Sequence, residues 1–290
     1  MPERILIIGL GSIGQRHARN ALALGCGVIG YDPKPYPPQG MHTPLDNVCC
    51  VTSIEAGLGC HPLGVIVATP PETHCHLGRL MIEAGLPTLI EKPMAENEER
   101  ASALLGYSQY KNIPISVGYQ FRHTAALRRL KAQADAGEFG TIYAAHAEFA
   151  SQRWCSKTYP ADLLLECSHE LDLFRWFLGD PMKAHGASSR QGTLVVGQIQ
   201  FAGTLGTFAL DGLHSGYRRR FTLYGTKGVG EWTLDQAEND QAYVDELAEF
   251  LRVCRGEQEV PSCTGRDGWW AVRMVEAIRK SGESGRWEAT

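Results

Sequence analysis

RILIIGLGSIGQR, residues 4–16, is the stretch that decides how the chain is read. Ile5, Leu6, Ile7 and Ile8 form an unbroken apolar run, as expected of a strand buried on both faces of a parallel sheet. The run breaks into Gly9, Gly11 and Gly14, spaced G-x-G-x-x-G, and from Ile13 onward the residues read as helix. Each glycine answers a physical need. Gly9 allows a tight turn, Gly11 leaves room for a pyrophosphate against the backbone, and Gly14 lets helix and strand pack closely. The helix N-terminus then presents N–H groups and the positive end of its dipole to the phosphates.

A second apolar run, Val28 to Tyr31, ends in Asp32. That acid lies about 20 residues past the loop, where a carboxylate accepts hydrogen bonds from adenosine ribose hydroxyls. The expectation is a Rossmann-type dinucleotide site. NAD is favoured over NADP because Asp32 would repel a 2′-phosphate, a preference that nearby Lys34 softens. A turn-forming Asp before Pro33 would satisfy the same geometry.

At 290 residues the chain is long enough for two domains. A net charge of −4 provides no basic stripe for nucleic acid. There is no apolar run of about 18 residues, and Met1-Pro2-Glu3-Arg4 leads straight into the first strand, so neither a membrane span nor a signal peptide is expected and the location read from this is cytoplasmic. The nine cysteines are odd in number and form no C-x-x-C, which reads as free, mostly buried thiols. His74-Cys75-His76 is the most metal-like cluster, but helix neighbours one and two apart point in different directions, so no metal site is expected.

A third core strand, residues 64–68, closes on Thr69-Pro70-Pro71-Glu72-Thr73-His74, at the strand end where open α/β sheets bind ligands. The next, residues 86–90, delivers Glu91-Lys92-Pro93, a charged pair that is costly to bury without a purpose. After a strand at 113–117, residues 118–122 mark the departure from the first domain. Beyond them the pattern predicts a helix over 125–136, then strands at 141–149, 194–201, 205–213, 219–224 and 228–234. A helix over about 161–178 carries Leu171, Phe174 and Leu178 as a core stripe. Glu166, His169 and Asp172, three apart, would share a broad polar face on it, where carboxylates can fix the tautomer of an imidazole and tune its basicity.

GLGSIGQRH, VATPPETH, EKPMA at 91–95 and GYQFR at 118–122, in this order and spacing, closely resemble the Gfo/Idh/MocA oxidoreductases. The later ECSHELDLFRWFLGD and the closing residues 250–287 fit the same family, so the resemblance spans nearly the whole chain. It implies an α/β Rossmann domain over 1–118 and an α+β domain over 119–290 with a large, mostly antiparallel open sheet, the terminal helices being able to pack back on the first domain. It also implies a homodimer or homotetramer formed through that sheet.

By the same resemblance, Gly9, Gly11, Ser12, Ile13, Gly14, Asp32, Thr69, Pro70, His74, Glu91, Lys92 and Gln120 would form the NAD site. His74 could equally be a simple helix-start residue. Lys92 and His169 would be the active pair, with Glu166 where the family usually has Asp. Arg122, Trp154, Tyr159 and Asp172 would meet a carbohydrate-like substrate, with packing an equal reading for Trp154 and Tyr159. Residues 151–160 form a shorter segment than in many relatives.

Hydride transfer from an alcohol needs a rigidly held cofactor, a group that moves the hydroxyl proton, and positive charge near the oxygen. The implied activity is therefore NAD-dependent oxidoreduction at a hydroxyl of a sugar, cyclitol or nucleotide-linked amino sugar. The competing readings are an NAD-using glycoside hydrolase of the same family and a catalytically silent ligand-binding homologue.

Overall fold

The structure, a computed structural model, describes residues 3–34, 46–151 and 162–290. The chain divides into two compact units. The first comprises Met1–Gly118 with Tyr243–Arg266, and the second Tyr119–Ala242 with Asp267–Thr290. The second unit is thus interrupted: residues 243–266, which the simple division at 118 assigns to it, fold with the first.

The first unit alternates strand and helix: β1 (Arg4–Ile8), α1 (Ser12–Ala23), β2 (Gly27–Tyr31), β3 (Val48–Cys50), α2 (Ile54–Leu58), β4 (Gly64–Val67), α3 (Pro71–Glu83), β5 (Thr88–Ile90), α4 (Glu98–Lys111) and β6 (Ile115–Val117). The six strands form one parallel sheet in the order β3-β2-β1-β4-β5-β6. Strand order reverses between β1 and β4, so the loops after these two strands part and leave a crevice at their carboxyl ends. Local chemistry fixes the helix starts. Ser53 Oγ accepts from Ala56 N at 3.1 Å and Asn97 Oδ1 from Arg100 N at 2.9 Å, each satisfying an N–H that the helix cannot. Ile5, Leu6 and Ile7 are fully buried, as a central strand covered on both faces requires.

The second unit opens with a 3₁₀ turn (Gln120–His123) and α5 (Ala125–Asp135), followed by β7 (Ile142–Ala150), α6 (Leu163–Glu166), α7 (Ser168–Leu178), β8 (Lys183–Ser188), β9 (Leu194–Phe201), β10 (Thr204–Asp211), β11 (Arg218–Gly225) and β12 (Gly228–Thr233). Two long helices follow, α8 (Gln236–Cys254) and α9 (Gly265–Ser284), and a short β13 (Glu288–Ala289). Seven strands form a sheet in the order β12-β11-β7-β10-β9-β8-β13, antiparallel except for the β7–β10 pair. One face is packed: Ala145, Ala147 and Phe149 of β7 lie in a core with Ile199, Phe208 and Phe221. On the opposite face Leu194, Val196 and Val229 are exposed. Strands β8 and β13 have no counterpart in the sequence pattern, being short and rich in polar residues.

The single helix expected over 161–178 is two. α6 is capped by Asp162, whose side chain accepts from Leu164 N and Leu165 N, and the chain breaks at Cys167 (φ −90°, ψ 22°) before α7 begins. Spacing arguments that run from Glu166 to His169 therefore cross a break in the helix.

Among the described residues no helix is long and apolar enough to cross a membrane, no cluster of three His, Cys, Asp or Glu side chains is arranged to hold a metal ion, and the eight described cysteines are free. Ile7→Ala, in the fully buried central strand, is expected to cost about 2–5 kcal/mol. Urea unfolding should show this as a lowered midpoint with an unchanged slope.

Candidate functional site

In the first unit the glycine loop is as tight as its spacing implies. Gly9 has φ +93°, and a Cβ there would lie 2.6 Å from the Ala68 carbonyl oxygen at the end of β4. A Cβ on Gly14 would lie 1.8 Å from the Gly9 carbonyl oxygen, whereas nothing comes within 4 Å of one on Gly11. The loop is therefore closed toward the protein at Gly9 and Gly14 and open at Gly11. No side chain caps the N-terminus of α1 and no acidic residue occupies its first turn, so its N–H groups and dipole are left for an anion. Ser12 is exposed and Ile13 half-buried there.

Asp32 follows β2. Its Oδ2 accepts from Leu10 N at 2.7 Å and its Oδ1 from Lys34 N at 2.9 Å. Two backbone donors fix the carboxylate, and its remaining lone pairs can accept from a diol. A dinucleotide fits this set: an open glycine cradle, an uncapped helix end, and an oriented acid at the neighbouring strand end.

His74 is placed differently from the cofactor contact that the sequence suggests. Its ring is buried, with Nε2 2.7 Å from the Thr69 carbonyl oxygen and Nδ1 2.8 Å from that of Pro93. It ties the turn after β4 to the turn after β5. Burial pushes its pKa down, against the upward pull of the two carbonyls and of Glu91 and Glu72. Thr69 Oγ1 pairs with Thr73 Oγ1 at 2.6 Å, and Thr73 Oγ1 donates to Pro70 O at 2.7 Å, so this turn is also braced internally.

Glu91 is held from several sides. Its Oε1 is 2.7 Å from His17 Nε2, its Oε2 accepts from Lys92 N at 3.2 Å, and a Cβ on Gly118 would lie 3.0 Å from Oε2. His17 is fully buried. This histidine lies within GLGSIGQRH, where the motif itself gives it no role. The available signal was its place on the inward face of α1, between Gly14 and the buried Ala18 and Ala21. Lys92 is half-buried at the end of β5.

In the second unit His169 lies in the first turn of α7, 4% exposed, its ring 4.4 Å from that of Phe121 and edge-on to Tyr119 at 5.5 Å. Glu166 is half-buried at the end of α6. The expected polar face does not exist as a solvated surface, because every residue from Ser168 to Phe174 is buried. Its acids have partners instead. Asp172 takes Arg122 in a two-point pair, Nε at 2.8 Å and Nη2 at 2.5 Å, and Arg122 also donates to Asp267 at 2.9 Å. Asp267 accepts from Arg175 as well, and Arg175 also pairs with Asp180.

Arg122 and Asp172, expected to line a substrate pocket, are thus 4% and 2% exposed inside an ion network. Burial pushes the Asp172 carboxyl up to about 6 in spite of its guanidinium partner. Arg219, a second residue the sequence did not single out, pairs with Glu170 at 3.2 Å between the rings of Phe121 and Phe149. Gln120 is buried and donates to Asn239 Oδ1 at 3.2 Å. Trp154 and Tyr159 lie outside the described residues.

A model of an oxidoreductase family with an NAD-binding Rossmann fold matches residues 43–119, and one of the GFO/IDH/MocA C-terminal domain matches 127–231. The myo-inositol dehydrogenase Hyg17 of Streptomyces leeuwenhoekii is 26% identical over 185 residues, 60% of this chain and 55% of that protein, so the match spans about half of that relative. The 1,5-anhydro-D-fructose reductase of Ensifer adhaerens is 26% identical over 280 residues, 81% of this chain and 82% of that protein. GenD2 from gentamicin A biosynthesis, crystallised in complex with NAD, has the same fold, with a TM-score of 0.87 at 19% identity over 100% of this chain and 96% of that one. Matched on both sides of Gly118 by the two halves of one family, this chain belongs to the Gfo/Idh/MocA oxidoreductases, and its first unit is their NAD-binding Rossmann fold.

Proposed function

We propose that this chain is an NAD-dependent dehydrogenase acting on a secondary hydroxyl of a cyclitol or sugar, with Lys92, His169 and Glu166 as its catalytic residues. The observation that carries the reading is the setting of His169: an imidazole whose ring is immobilised against Phe121 and Tyr119 at the start of a buried helix turn. A base held in one orientation is what proton transfer requires. The inositol and anhydrofructose activities in the names of the two relatives supply the substrate class.

When bound, the nicotinamide supplies the hydride acceptor. His169 takes the proton of the substrate hydroxyl as the carbon loses its hydride, and returns it in the reverse direction. Lys92 is assigned as the positive charge that stabilises the negative charge developing on the substrate oxygen. Glu166, three residues before His169, is assigned to help fix the orientation of its imidazole. The uncapped end of α1, the glycine loop and Asp32 hold the pyrophosphate and the ribose. The exposed Leu194, Val196 and Val229 on the open sheet face support a homo-oligomer assembled through that face, and the net charge and the absence of a long apolar run are consistent with a cytoplasmic enzyme.

Two experiments test this. With myo-inositol and related cyclitols and sugars as substrates, His169→Ala and Lys92→Ala are each expected to lower kcat by about 10²–10⁴, followed as absorbance of the reduced nicotinamide at about 340 nm. His169→Ala should bind NAD as the wild type does, and unchanged turnover in either variant would refute the assignment. Asp32→Ala should weaken NAD binding by about tenfold, roughly the worth of a charge-assisted hydrogen bond or two, and weaken NADP binding less. Calorimetric titration of both nucleotides reads the difference.

A further inference from the structure

Besides His74, the first unit buries His17 on α1, Glu91 after β5, and Glu246 and Glu249 on α8. Three of them have a place in the hydrogen-bond pattern. Glu249 accepts from Ser262 N at 2.7 Å and Ser262 Oγ at 2.6 Å. Glu91 takes His17 Nε2 and Lys92 N. Glu246 is 4% exposed, and among the described residues neither of its oxygens has a hydrogen-bond partner. An isolated carboxylate is among the costliest groups to bury, and such a side chain takes up a proton instead of keeping its charge.

Among the described residues it has no hydrogen-bonded cation. α1 meets α8 where the His17 ring lies edge-on to Tyr243 at 6.0 Å, one turn before Glu246, and the charged and titratable groups on these stretches and on the turn after β5 are Arg16, His17, Glu91, Lys92, Tyr243, Asp245, Glu249 and Arg252. Of the bases, His17 is engaged by Glu91, the Arg16 guanidinium lies over the Tyr243 ring at 4.7 Å, and Arg252 is 4.0 Å from Glu249.

We propose that Glu246 is a positioning residue, a neutral carboxylic acid one helical turn from the contact between Tyr243 and His17, which leaves His17 to Glu91 and so keeps the Glu91-Lys92-Pro93 turn set for the cofactor. Burial, reinforced by the negative charges of Glu91 and Glu249, holds the Glu246 carboxyl well above its usual value. The turn is kept in place because Glu91 bonds at once to α1 and to the backbone of Lys92. A second anion beside it would compete for the one imidazole. The functional half of the inference rests on the NAD-binding reading of this unit; the protonation half does not.

The sign of the pH effect follows from linkage. A carboxyl whose folded value is raised binds a proton in the native chain that the unfolded chain has released. Its contribution therefore falls as pH rises above about 4.3, the unfolded value, and goes on falling until the folded value is passed. Glu246→Gln, which keeps the shape and removes the titration, should be more stable than the wild type. The ratio of their unfolding constants should widen by up to about tenfold per pH unit as pH rises above about 4.3 toward the raised folded value, measured by denaturant unfolding of the full chain without nucleotide. A gap independent of pH, or a Gln variant that becomes the less stable one as pH rises, would overturn the neutral acid.

Calorimetric titration with NAD at neutral pH tests the positioning role. Glu246→Gln should bind within about twofold of the wild type, while Glu246→Ala, which removes the buried side chain, should bind about tenfold more weakly, roughly 1.4 kcal/mol. Should the Ala variant fail to fold, the Gln variant still decides, because loss of NAD binding in it overturns the proposal. If the wild type itself does not bind NAD, the cofactor reading fails while the stability comparison still stands.

Discussion

Among the described glycines of the first unit, Gly14 has the least room: a side chain of even one carbon would lie 1.8 Å from the Gly9 carbonyl oxygen. That contact seats α1 directly on the turn that leaves β1. Its first consequence is the uncapped helix end beside the open Gly11, the feature that suits the unit to a pyrophosphate. Its second lies one turn further on. With the helix at that depth, His17 comes within 2.7 Å of Glu91, and Glu91 in turn holds the backbone of Lys92. The glycine loop and the Glu91-Lys92-Pro93 turn are thus coupled through one buried histidine. A larger residue at position 14 would lift the helix and loosen both.

The second unit meets a different constraint. The first two turns of α7 are buried all round, yet they carry His169, Glu170 and Asp172. Acids in such a place persist only if cations are brought to them, and Arg219 and Arg122 are. The arginines are in turn bound to ring faces: Arg219 lies over Phe121 and Phe149, and Arg122 lies 5.6 Å from the centre of Trp176. Phe121 also packs on His169. Order at the imidazole is therefore set by the same aromatic and ionic contacts that allow the helix to be buried.

This division explains which features were legible in the sequence. Local spacing revealed the parallel sheet, the glycine turn and most strands of the second unit, because each depends on residues within a few positions of one another. The side-chain pairs were not legible. His17 and Glu91 are 74 residues apart, Arg122 and Asp172 are 50 apart, and Arg122 and Asp267 are 145 apart. Asp172 reads equally well as a substrate ligand or as a counterion until Arg122 is seen beside it. The break at Cys167 was hidden for a related reason: residues on both sides have helical periodicity, and only the Asp162 cap and the backbone turn separate α6 from α7.

The two units also balance buried charge in different ways. In the second, Arg122, Arg175 and Arg219 are matched by Asp172, Asp267, Asp180 and Glu170, so each of these carboxylates faces a fixed cation. In the first, Glu91 takes His17 and the Lys92 N–H, Glu249 takes two donors from Ser262 and lies 4.0 Å from Arg252, and Glu246 has no hydrogen-bond partner among the described residues. A guanidinium cannot give up its charge, but a carboxyl group can lose its charge by taking up a proton. Where counterions run short, a proton completes the balance, and it goes to the acid with the fewest hydrogen bonds. That acid is Glu246, on the helix that carries the chain back into the first unit, and its neutral form is what lets His17 be committed wholly to Glu91.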